Sequence, residues 1–109
     1  MHELAIAEGV VDTVTQRLPG ARITRVHLEI GALSGVVPDS IRFCFDLATE
    51  GTPLEGAALE ITEPPARCLC RSCGTEFRPD PPIVLCPCGS ADVAVLGGEE
   101  LKILSVQVA

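Results

Sequence analysis

Five of the six cysteines lie between positions 68 and 88, and this cluster constrains the fold more than any other feature of the sequence. A C-x2-C turn followed by glycine brings two thiolates onto one ion, because the glycine adopts a backbone conformation with positive φ. A segment of about thirty residues cannot bury enough surface to fold alone, so a bound metal would supply the missing stability. The spacing therefore predicts a metal site with four thiolate ligands.

The cluster offers five cysteines for four positions. We predict that a structural Zn²⁺ is held by Cys70, Cys73, Cys86 and Cys88, with Cys68 as an alternative ligand. The second pair has a single residue between its cysteines, so it is tighter than the usual C-P-x-C turn. A rubredoxin-like iron site is the alternative, since similar turns bind iron. A closed four-thiolate site leaves no open position for catalysis.

The rest of the chain has the periodicities of an α+β fold. Apolar residues at three- and four-residue steps predict a helix over residues 4–18. A second helix is predicted to begin at Pro38 and to end at Gly51. Alternation predicts strands at 22–30, 58–63 and 100–109. The last strand is apolar on both faces, so we expect a neighbouring strand or helix on each side. The prediction is two helices packed on a small three-stranded sheet, with an inserted zinc-ribbon-like lobe.

This discontinuous arrangement gives two predicted units. Residues 1–65 plus 99–109 form the α+β domain, and residues 66–98 form the cysteine-rich lobe. Cys44 falls on the apolar stripe of the second helix, where a buried thiol behaves as a small hydrophobic side chain. His27 falls on the polar face of the first strand and is expected to be solvated rather than to bind metal.

Composition excludes several classes of function. Eight Lys and Arg against fifteen Asp and Glu give a net charge of −7, which argues against nucleic-acid binding. Three Phe with no Trp or Tyr leave little for a base-stacking surface. Neither a membrane span nor a secretory signal is apparent, so we expect a cytoplasmic protein. No Ser/His/Asp set or glycine-rich phosphate loop is present, and we expect no enzyme activity.

The first residues carry a second candidate metal site. The Met1 amine, the His2 backbone nitrogen and the His2 imidazole Nδ1 would close fused chelate rings on one ion, and Glu3 would add an amide nitrogen or a carboxylate. Nitrogen-rich tetragonal sites of this kind favour Ni(II) or Cu(II). A histidine at position 2 is common in proteins that bind no metal there, so this feature alone is weak evidence for a metal site.

Three segments together resemble the HypA/HybF family of nickel metallochaperones. They are MHELAIAEGVVDTV, RVHLEIGALSGVVPDSIRFCFDLATEGTPLEGAALEI and the CxxC…CPCGS lobe, in the family's order over nearly the whole chain. The resemblance implies a nickel site on Met1, His2 and Glu3, with Asp39 as an acidic residue nearby. It also implies a four-cysteine zinc site, although this sequence lacks one residue between Cys86 and its partner cysteine.

The function implied by the resemblance is metal transfer rather than catalysis. Such a protein binds Ni(II) and delivers it during maturation of [NiFe]-hydrogenase, with urease as an alternative recipient. The implied partners are the hydrogenase large subunit and a nickel-handling GTPase, and a second copy of the chain is a further candidate. Two other hypotheses are consistent with the sequence: a zinc-ribbon interaction module and a rubredoxin-like electron carrier.

Overall fold

A computed structural model describes residues 2–109, which form two helices and two small sheets. Neither helix is long and apolar enough to cross a membrane within this range. In chain order the elements are α1 (Glu3–Arg17), β1 (Ile23–Ile30), α2 (Pro38–Thr49), β2 (Ala58–Thr62), β3 (Arg67–Cys70), β4 (Glu76–Phe77), β5 (Val93–Gly97) and β6 (Leu101–Val108).

The two helices begin and end where local chemistry dictates. Pro38 opens α2, where its missing N–H costs no helical hydrogen bond. The N–H of Leu18 bonds to the Val14 carbonyl at the end of α1, and Gly20 then takes a positive φ of 76° that turns the chain. The apolar buried residues of α1 are Ala7, Val10, Val11 and Val14, while Leu4 and Leu18, at the two ends of the predicted helix, are exposed.

The larger sheet has the strand order β2-β1-β6, which is the three-stranded sheet expected from the sequence. β1 lies in the centre, parallel to β2 and antiparallel to β6. Its alternation places Val26, Leu28 and Ile30 in the core, which they share with residues of both helices. The opposite face is polar and carries the ion pairs Arg25–Glu60 and Lys102–Glu29.

The prediction of a neighbouring strand or helix on each side of the last strand is wrong. Within the described residues β6 pairs with β1 alone and lies at the edge of the sheet. The apolar residues on both faces of β6 are explained by a shift in its pairing register with β1, between His27 and Leu28. This leaves Leu104 as an extra residue on β6, so that Ile103 and Val106 both pack against the core despite their odd spacing.

The cysteine-rich lobe contains the second sheet, with strand order β4-β3-β5. Both of its connections meet one loop of the larger domain. The N–H groups of Gly31, Ala32 and Leu33 bond to the carbonyls of Glu100, Pro64 and Gly98. A Cβ added at Gly31 would overlap the Gly98 carbonyl oxygen, so this crossing requires glycine. We name residues 31–33, 64–66 and 98–100 the junction.

Candidate metal centre

The structure brings four thiols together in the lobe. The sulfurs of Cys70, Cys73, Cys86 and Cys88 all lie within 4.8 Å of one another. Two of the separations are 3.7 Å, between Cys70 and Cys88, and 3.6 Å, between Cys73 and Cys86. A Zn–S bond of about 2.3 Å implies sulfur separations of about 3.8 Å in a tetrahedron. The donor set and its spacing therefore fit a tetrahedral site in which four thiolates bind an ion such as Zn²⁺.

Two backbone turns hold these thiols in place. The N–H of Gly74 bonds to the Cys70 carbonyl and that of Gly89 to the Cys86 carbonyl, each at 2.8 Å. Both glycines have positive φ, at 77° and 94°. The turn at Cys86 closes although only Pro87 separates its two cysteines. The missing residue therefore does not prevent the second pair from reaching the first.

Backbone and hydroxyl groups polarise the thiols unequally. Hydrogen bonds from the Thr75 side chain and then its backbone lower the pKa of Cys73 to about 6. At Cys86 the Cys88 N–H lowers the pKa, but burial and the neighbouring thiols outweigh it and raise the pKa to about 12. Such opposed shifts are expected when several thiols share a small volume, since only some of them ionise without a cation. A divalent ion would remove this conflict by stabilising all four thiolates.

The other cysteines lie outside this group. Cys68 is fully buried in β3 opposite Phe77 and does not belong to the four-thiol cluster. Cys44 is half-buried on α2 rather than fully enclosed. Thr75, whose hydrogen bonds lower the pKa of Cys73, was not among the residues identified from the sequence. Its position directly after the C-x2-C-G turn is the signal that would have identified it.

The predicted nickel residues lie at the start of α1. Met1 is outside the described residues. His2 is exposed and directly precedes the helix, with its carbonyl accepting the Ile6 N–H at 3.0 Å. Glu3, the first residue of α1, is 6% exposed.

Asp39 occupies the exposed first turn of α2. Within residues 2–109 the four thiols are the single group of three or more His, Cys, Asp or Glu side chains close enough to share an ion. His2, Glu3 and Asp39 do not form such a group. His27 lies on the open face of the sheet, where its Nε2 bonds to the Thr62 hydroxyl.

Comparison with known proteins gives a consistent result along the whole chain. The family described as hydrogenase/urease nickel incorporation, metallochaperone, hypA matches residues 1–108. The hydrogenase maturation factor HypA of Nostoc punctiforme is 50% identical over 108 residues, covering 99% of this chain and 96% of that protein. The corresponding factor of Geotalea daltonii is 48% identical over 109 residues, covering 99% of each.

Two solved structures share the fold. The solution structure of the Ni metallochaperone HypA from Helicobacter pylori superposes with a TM-score of 0.65 at 23% identity, covering 99% of this chain and 97% of that one. A second solution structure of a HypA protein gives a TM-score of 0.66 at 23% identity, covering 100% and 97%. With the family match over residues 1–108 and relatives near 50% identity, the chain belongs to the HypA family of hydrogenase/urease nickel-incorporation metallochaperones.

Proposed function

We propose that this chain binds Ni(II) at its N-terminus and delivers it for [NiFe]-hydrogenase maturation, while a separate zinc ion holds the cysteine-rich lobe. Membership of a nickel-incorporation family over residues 1–108 is the observation that carries the proposal. The sequence start supports it, because Met1 and His2 offer three nitrogen donors within two residues. A cytoplasmic location is part of the same proposal.

Exposure at the chain start suits a cargo that must be collected and released. His2 is exposed and lies ahead of α1, so its backbone nitrogen is not tied into the helical hydrogen-bond ladder. An amine, an amide nitrogen and an imidazole can each be displaced in turn by donors of a recipient. Glu3 is buried, and we assign its backbone amide nitrogen to the site. Asp39 is proposed as an acidic neighbour.

The proposed zinc site differs from the chain start. Cys70 and Cys86 are buried, Cys73 and Cys88 are exposed, and the four sulfurs lie within 4.8 Å of one another. An ion there would have four thiolate ligands and no open position. Bound zinc would supply structural stability to the lobe and no chemistry. We therefore propose a division of the chain into a nickel-binding unit, residues 1–65 plus 99–109, and a zinc-binding lobe, residues 66–98.

Neither site has the features of a catalyst, and we propose a protein that transfers metal and does not turn over a substrate. Its partners are then a nickel-handling GTPase and the hydrogenase large subunit, with urease as the alternative recipient and a second copy of the chain as a further candidate partner.

Nickel titration of tag-free protein tests the proposal, with zinc counted in parallel by mass spectrometry. His2→Ala should abolish tight Ni(II) binding and leave zinc at one per chain. His27→Ala is the matched control, since it removes the other histidine of the chain and should leave nickel binding intact.

Unchanged nickel affinity in His2→Ala would refute the assigned donors. A red protein with visible iron–thiolate absorption in place of zinc would favour a rubredoxin-like electron carrier instead. Zinc without any nickel binding would favour an interaction module of the zinc-ribbon type.

A further inference from the structure

An open apolar groove runs between α1 and the edge strand β6. Two cavities of about 320 and 460 Å³ compose it, and they are adjacent, since Thr13 and Ile103 line both. Apolar side chains of α1 and β6 supply most of the remaining walls. We name this feature the β6 groove; its lining includes Ile6, Gly9, Val10, Arg17, Leu101 and Val106.

The strand beside the groove has an unprotected edge. Within the described residues β6 pairs only with β1, so the other side of its eight-residue backbone offers N–H and C=O groups for a further strand. Natural edge strands are usually shielded by charges, proline or short length. β6 has one charged residue, Lys102, whose ammonium is paired with Glu29 at 3.4 Å. Leu101 and Val108 are 44% and 50% exposed along it.

The absence of a side chain at Gly9 deepens the groove but lowers the stability of α1. A glycine inside a helix destabilises it by up to about 1 kcal/mol relative to alanine. A Cβ built on Gly9 would meet nothing within 4 Å, so packing within the chain does not require glycine here. The absent side chain therefore leaves room for atoms from outside the chain.

The charge of the groove distinguishes among occupants. The chain has a net charge of −7, yet cationic residues line the groove; Lys102 is paired with Glu29 on the opposite face of the sheet, so Arg17 supplies the cation of the groove. Arg17 forms no ion pair within the part of the chain that the structure describes. Two copies pairing here would bring cation to cation and −7 to −7. An acidic segment of another protein complements the groove better.

We infer that the β6 groove binds an extended segment of a partner protein. The segment adds to β6 as a strand, so that backbone hydrogen bonds supply affinity and alternate apolar side chains enter the groove against α1. An acidic residue of the segment pairs with Arg17 beside the Val106 end of β6. This site is distinct from both metal sites and extends the proposed function to partner recognition.

Phage-displayed random peptides long enough to cover the eight residues of β6, panned against the zinc-loaded full chain, test the inference. Enriched peptides should alternate apolar and polar residues and carry Asp or Glu near one end. A selected peptide, synthesised and labelled, should bind the chain and shift the amide resonances of β6 and of the groove side of α1. Gly9→Leu should weaken that binding at least about tenfold, because the leucine fills the apolar floor.

Two further variants separate groove binding from other causes. Glu8→Leu adds the same side chain at an exposed neighbouring position outside the groove and should leave peptide affinity unchanged. Arg17→Glu should weaken acidic peptides by up to about fivefold, less at high salt. Failure to enrich any peptide, or equal binding by Gly9→Leu, would overturn the inference. A dimer that Gly9→Leu dissociates would also overturn it, since a second copy would then occupy the groove.

Discussion

Removing a single thiol from the four-cysteine cluster should unfold the lobe and spare the rest of the chain. We choose Cys86→Ala because Cys86 is buried and belongs to the cluster. A structural zinc contributes on the order of 10 kcal/mol or more to folding of a small domain. The apolar side chains buried in the lobe contribute only a few kcal/mol at about 25 cal/mol per Å². Those side chains are Ala66, Cys68, Cys70 and Cys86.

The helices and the larger sheet have a core cluster of their own. This cluster runs from Val10 to Leu54, and no residue of the lobe belongs to it. Once disordered, the lobe becomes a flexible loop, and the entropy cost of closing a loop grows only logarithmically with its length. The pairing of β6 with β1 should therefore survive. The same experiment tests the proposed division of the chain into two units.

Amide NMR spectra of the zinc-loaded protein and the variant measure this directly. In Cys86→Ala the resonances of residues 66–98 should collapse to random-coil positions, while those of α1, β1 and α2 stay dispersed. Cys68→Ala is the matched control, since it also removes a buried sulfur of the lobe but not one of the cluster. Zinc content should stay at one per chain in that control. A dispersed lobe spectrum in zinc-free Cys86→Ala would show that side-chain packing alone folds it.

Three further predictions concern the thiols, the chain start and the junction. Because folding lowers the pKa of Cys73 to about 6, its thiolate is lost as the pH falls through about 6; Thr75→Val should raise this pKa and move acid release of zinc to higher pH, followed with a chelating dye. An uncleaved N-terminal tag should weaken nickel binding as much as loss of the second-position imidazole, because the terminal amine becomes an amide; calorimetry before and after cleavage measures it. Gly31→Ala should lower the free energy of unfolding by about 1–3 kcal/mol or more in urea titrations, since its Cβ would meet the Gly98 carbonyl.

Controls for these experiments come from neighbouring positions. Ser72→Ala removes a hydroxyl beside the thiols that bonds to Ser90 instead, and should leave the pH of zinc release unchanged. Gly9→Ala should raise stability by up to about 1 kcal/mol, because its Cβ meets nothing and alanine favours the helix. An equal effect of Ser72→Ala, full nickel affinity in tagged protein, or a stable Gly31→Ala variant would each contradict the corresponding reasoning.

Local periodicity was enough to predict the helices and the larger sheet, because each of these elements buries a regular apolar stripe. Val26, Leu28 and Ile30 illustrate this, since strict alternation in β1 directs all three into the core. The strands of the lobe were not predicted, because cysteines and turns position them rather than aliphatic side chains. β4, for example, is only the two residues Glu76–Phe77.

Features that depend on distant residues were beyond sequence reasoning. The bulge at Leu104 is defined only by the pairing of β6 with β1, whereas the sequence pattern of β6 alone predicts a strand that is covered on both faces. The need for glycine at position 31 likewise becomes visible only when Gly98 lies against it. Cysteine spacing did indicate the thiols that meet, since a C-x2-C turn fixes local geometry. The nickel donors stay a prediction, as Met1 lies outside the described residues.

The cysteine-rich lobe leaves the rest of the fold and returns to it at one place, the junction. The chain departs at Ala66 and comes back at Gly98, where an added Cβ would lie 2.7 Å from the Ala66 Cα. A short turn replacing everything in between would connect the same two points without moving β2 or β6. Folding of such a shortened chain would show that the helices and the larger sheet do not need the cysteine-rich lobe, and nickel titration of it would show whether the proposed nickel site needs the proposed zinc site.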